Sequence, residues 1–175
     1  MKRILIILYI LPTFAFASNK FVYKLLPQVD TKLDSKSDSL PSVFLIGEHE
    51  FEYENLVNSC DGLLLEVCSD SMQLAYKHWL LMLNDLEIFA AEEEFDIRGI
   101  KIWLNVFWTK DGRIDKLVYY PKPNSRNIDF SKLTTVMEAF RNKYNFPIKV
   151  DKCFSHYGSA TFPTFAELYF EEGGK

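Results

Sequence analysis

This 175-residue sequence predicts an α+β fold: an antiparallel sheet with a long helix and a second, shorter helix packed on one face. Three observations carry that reading. An apolar stripe at helical period runs from residue 72 to 90. A two-residue alternation follows at 100–108, with Trp103 and Phe107 giving the second face cover, then a turn and a returning run. A second apolar stripe then occupies residues 130–144. Helices whose apolar stripes need covering and strands with a half-buried face are satisfied together when the helices layer on the sheet.

The elements can be justified in order. Residues 43–46 and 51–53 are short apolar stretches that fit strands. Asp70 or Ser71 can cap the long helix, because a short side-chain oxygen there accepts from its first free amides. Behind the cap, Met72, Ala75, Tyr76, Trp79, Met82, Leu83, Leu86, Phe89 and Ala90 recur every three or four residues. The helix should end near Glu94, before Asp96 and Gly99.

Ile100, Ile102, Leu104, Val106 and Trp108 then alternate with Lys101, Trp103, Asn105, Phe107 and Thr109, as a strand requires. Lys110-Asp111-Gly112-Arg113 supplies the turn, since Asp-Gly tolerates the positive φ of a two-residue hairpin loop. Residues 114–120 return, and Pro121 and Pro123, which cannot donate to a ladder, end the strand. Asp129 can cap the second helix, with Phe130, Leu133, Val136, Met137, Phe140 and Tyr144 on one face; Asn145 and Pro147 stop it. Residues 148–154 fit a strand, Gly158 and Ser159 a turn, and 160–169 an extended closing segment.

The N-terminus has the three-part pattern of a secretory signal. Lys2 and Arg3 precede an uncharged run that closes on Ala15-Phe16-Ala17. The run is shorter than the roughly 20 residues a membrane-spanning helix needs, so cleavage after Ala17 is favoured over a retained anchor. Residues 18–42 then form a polar arm, and 43–175 one domain that would work in the periplasm or beyond the cell. No membrane span is expected in the mature chain. Losing Lys2 and Arg3 moves the net charge from −4 to −6, which disfavours nucleic acid as a partner.

Few residues suggest chemistry. His49, His78 and His156 lack the clustered ligands of a metal site, and no glycine-rich phosphate loop or serine elbow is present. No cofactor is implied. Cys153 and His156 are the candidate catalytic pair, but in an extended strand they would face opposite sides. Among Cys60, Cys68 and Cys153, one pair can bridge in an oxidising compartment, with local closure between Cys60 and Cys68 as one option. All three can equally be buried as small apolar side chains. Glu92, Glu93, Glu94 and Asp96 read as a solvated helix end. Phe, Tyr and Trp make up 15% of the chain, so the hairpin residues Trp103, Phe107, Tyr119 and Tyr120 are either core or an exposed binding face.

Residues 100–165 resemble the C-terminal domain of TonB-type energy transducers. The resemblance lies in the strand, the Lys110-Asp111-Gly112-Arg113-Ile114 turn, the Tyr119-Tyr120-Pro121 exit and the polar loop Asn124-Ser125-Arg126-Asn127. The helix that follows, Phe146-Pro147 and Ser159-Ala160-Thr161-Phe162-Pro163 complete it. It implies an interaction domain that captures an extended segment of an envelope or outer-membrane protein at a sheet edge. Asn124 and Arg126 join the hairpin aromatics as candidate binding residues. The sequence departs from that family in its cleavable leader, its short Pro-poor arm and the additional long helix. The expectation is therefore a soluble, exported interaction module. A secreted Cys153/His156 enzyme and a periplasmic inhibitor or immunity-type protein are the alternatives.

Overall fold

A computed structural model describes residues 40–166. The leader, the arm through residue 39 and the tail past 166 lie outside the described residues, as do the expectations placed on them. The described elements are β1 (Val43–Leu45), α1 (Glu50–Ser59), β2 (Gly62–Leu63), α2 (Leu64–Val67), α3 (Met72–Glu92), β3 (Lys101–Trp108), β4 (Ile114–Pro121), α4 (Phe130–Lys143) and β5 (Phe154–Thr161). They build one five-stranded sheet in the order β1-β4-β3-β5-β2.

The centre of the sheet follows the alternation. β3 pairs antiparallel with β4 on one side and with β5 on the other. The hairpin turn uses Gly112 at φ +85°, whose amide donates to the Thr109 carbonyl at 2.9 Å. Thr109 in turn donates to the Arg113 carbonyl at 2.8 Å, so the loop holds three residues instead of the two expected. A bulge between Phe107 and Trp108 shifts the register.

The edges correct the fold prediction. β1 runs parallel to β4 and β2 parallel to β5, so the sheet is mixed and not purely antiparallel. Turn residues specify the direction of neighbouring strands only. Both edge strands pair with distant partners, whose direction no local signal carries.

The even-numbered residues of β3, from Ile102 to Trp108, face a large core shared with α3 and α4. α3 contributes Trp79, Met82, Leu83, Leu86 and Phe89, and α4 contributes Leu133, Met137 and Phe140, as both stripes predict. Ser71 caps α3 by accepting from Leu74 at 3.2 Å, and Asp129 caps α4 by accepting from Ser131 at 3.1 Å. At its C-terminus α3 closes with Phe95 donating to Ala90 and Glu94 to Ala91, Glu94 itself lying at φ +55°. The rings of Trp108, Phe146 and Phe154 meet at centroid distances of 5.0–5.5 Å and seal one end of this core.

Three further expectations change. Residues 51–53 belong to helix α1, not to a strand. The Phe-Glu-Tyr-Glu alternation imitates period two, whereas Tyr53 and Leu56, three apart, are what α1 lays on the opposite sheet face. There they meet Phe44, Phe107 and Val118 in a smaller core. Residues 148–153 form no strand; pairing begins at Phe154. Gly158 and Ser159 sit inside β5 and not at a turn, because Gly158 leaves room for the Trp79 indole. A Cβ there would lie 3.1 Å from the ring.

Candidate functional site

β5 is an eight-residue strand whose outer side the described residues use incompletely. β3 pairs with it from Phe154 to Thr161, but β2 reaches only Phe154 and Ser155. Antiparallel ladders turn the main-chain groups of alternate residues toward opposite neighbours. Phe162 donates to Ile100 at 3.0 Å, which sets even-numbered residues toward β3. Tyr157, Ser159 and Thr161 therefore turn their amides and carbonyls outward, away from β3.

α3 runs beside that edge and leaves a groove of about 490 Å³, lined by Trp79, Leu80 and Leu83 on one wall and by His156, Ser159 and Thr161 on the other. The Trp79 indole Nε1 donates to the Ser159 carbonyl at 3.4 Å, so one outward acceptor is already engaged by an N–H from the helix. The His156 ring meets the Trp79 ring edge-on at 4.6 Å, and burial lowers the His156 pKa. None of the groove-lining residues carries a carboxylate, a lysine or an arginine.

Cys153 and His156 are not brought together as a thiol pair. Cys153 is bonded to Cys60, with Cα atoms 5.5 Å apart, which joins the end of α1 to the start of β5. The Cys60–Cys68 closure does not form. Cys68 is a free, fully buried thiol, with its pKa raised by that burial. No group of three or more His, Cys, Asp or Glu side chains among the described residues could hold a metal ion. No helix among the described residues is long and apolar enough to cross a membrane.

The candidate binding residues divide by strand face. Phe107 and Tyr119 are buried, Phe107 under α1 and Tyr119 in the large core, where its hydroxyl lies 2.7 Å from Thr134 Oγ1. Trp103 and Tyr120 stand on the opposite face from Tyr119, directly across from one another, 40% and 52% exposed. Asn124 is exposed in its loop. Arg126 is a loop staple: its guanidinium grips the Asp96 carboxylate at 3.1 Å and the Asp96 carbonyl. With Arg98 also bonded there, the Asp96 carboxyl is held well below the usual carboxylate range. Glu92, Glu93 and Glu94 are exposed, as a solvated helix end requires.

Sequence reasoning missed Tyr157, which is 53% exposed and stacks on Trp103. The two-residue spacing of Ser155, Tyr157, Ser159 and Thr161 was the available signal. The expected turn at Gly158 concealed it. No family model, curated protein or solved structure matches the chain.

Proposed function

We propose that this chain is an exported interaction module that captures an extended segment of a partner protein along the outer edge of β5. The observation that carries the proposal is the row of outward main-chain groups at Tyr157, Ser159 and Thr161, beside a groove walled by α3. A segment added there gains main-chain hydrogen bonds from the edge, while side chains at alternate positions enter the groove and confer selectivity. The uncharged wall of Trp79, Leu80 and Leu83 suits a segment whose inward side chains are apolar. The resemblance of residues 100–165 to TonB-type C-terminal domains supports the same mode and an envelope protein as partner. Work outside the cytoplasm, after loss of residues 1–17, fits the leader pattern and agrees with the Cys60–Cys153 bridge.

Ser159→Pro tests it. The Ser159 amide points away from β3, so proline there costs no central ladder bond but removes the outward donor and fills the edge. A photoreactive residue at Phe165, beside the groove, should crosslink the partner in cells, and mass spectrometry would identify the segment. The synthetic segment should slow amide exchange at Tyr157, Ser159 and Thr161, and Ser159→Pro should abolish its binding while the circular dichroism spectrum holds. A crosslinked segment that leaves those three amides unprotected would refute edge capture.

A further inference from the structure

A second surface lies on the sheet face away from α3 and α4; it uses side chains of β5, whereas edge capture uses that strand's main-chain groups. α1 covers this face only as far as Asn105, whose amide donates to the Tyr53 hydroxyl at 3.0 Å. Past that point three aromatic side chains stand on three neighbouring strands. Tyr120 lies across from Trp103, and Tyr157 stacks on Trp103 at 5.7 Å with planes 19° apart. The Lys122 ammonium sits 3.9 Å from the centre of the Trp103 ring and donates to Ser159 Oγ. Lys101 and Thr161 form the next cross-strand pair. The patch thus offers three rings, two ammonium groups and four hydroxyls, those of Tyr120, Tyr157, Ser159 and Thr161. The positions that make up the patch, 101, 103, 120, 122, 157, 159 and 161, include no Asp or Glu, in a chain of net charge −4.

We propose that this face binds an acidic glycan whose sugar rings carry carboxylates, as in a uronic-acid polymer. Main-chain hydrogen bonds lie in the plane of a sheet, so its face gives an extended peptide nothing for its backbone. A pyranose ring suits what the face does offer: its C–H side rests on an electron-rich aromatic face, and its hydroxyls reach polar groups at the rim. Trp103 packs against both the Tyr157 ring and the Lys122 ammonium, so it holds these two in place while the exposed rings of Tyr157 and Tyr120 receive the sugar. Lys122, fixed by the indole and Ser159, keeps further donors for an anion. A uronate carries its carboxylate on the ring itself, so one residue makes both the stack and the ion pair.

Fluorescence and calorimetry test this on the full folded chain. Trp108 is buried and Trp79 is buried on the groove side, which leaves Trp103 as the indole on this face. Polygalacturonate should shift Trp103 emission and bind with a measurable heat. Dextran, phosphomannan, oligo-dT and poly-glutamate should bind at least tenfold more weakly. Lys122→Ala, Tyr157→Ala and Trp103→Ala should each weaken polygalacturonate at least tenfold by calorimetry with Tm unchanged. Absence of binding to polygalacturonate overturns the proposal. So does an equal or stronger response to any of the other four polymers, or binding that survives Tyr157→Ala and Lys122→Ala.

Discussion

Glu94 shows how a single residue can work against its position. It closes α3 in the left-handed region, which a side chain with a Cβ enters at a cost of roughly 1 kcal/mol, and it adds negative charge at the negative end of the helix. Glu94→Gly should therefore raise stability by about 1 kcal/mol, read as a higher guanidinium midpoint at unchanged slope. The end of α3 was legible because the apolar stripe runs out there, yet the missing glycine gave no hint of the motif. Gly112 and Gly158 make the contrast. The first follows Asp in a turn that needs φ > 0, which local sequence announces. The second is glycine because an indole from a helix far away in sequence rests against it, and nothing near residue 158 records that.

Among elements, α3 and β5 each carry a histidine that makes the fold sensitive to acid, His156 beside the groove and His78 against Phe146. Burial lowers the pKa of His156, and burial followed by the charge of Lys77 lowers that of His78, from an ordinary 6.5. Below about pH 6.5 the unfolded chain takes up protons that these two sites resist in the folded chain, so stability must fall as pH falls. The guanidinium midpoint should drop between about pH 7.5 and 5.5, and His156→Phe, which keeps a ring against Trp79, should make that drop shallower. An equal drop in the variant would remove His156 as a source. Asp85, whose pKa burial raises, acts with the opposite sign at lower pH, so the window belongs above the carboxylate range. The helices α3 and α4 and the hairpin were readable because each carries its period over many residues. α1 was misread because five residues of Phe, Tyr and Glu fit either period, and the tie is settled by which side chains the sheet buries.

At the scale of the whole molecule, the Cys60–Cys153 bridge closes a loop of 93 residues. Restricting so long a loop in the unfolded chain contributes about 2–4 kcal/mol. The double variant Cys60→Ser/Cys153→Ser should lose about that much in guanidinium unfolding. The wild-type chain should lose as much on reduction, while the double variant should be indifferent to reductant. Equal midpoints with and without reductant in the wild type would show that the bridge contributes nothing. The cysteine count made one bridge plausible, but choosing its partners required the sheet, which sets β2 beside β5. The candidate site was legible in the same partial way. Trp103 and Tyr120 were visible as candidates and Tyr157 was not, and which strand face each occupied depended on helices that only the assembled sheet positions.

The strand order also dictates a sequence of events during synthesis. β1 and β2 are made first, yet each finishes at an edge whose template, β4 or β5, is made much later. A nascent chain that stalls after α3 holds two orphan strands and a long apolar helix with no sheet to rest on. Such intermediates invite aggregation and proteolysis until the last strand emerges.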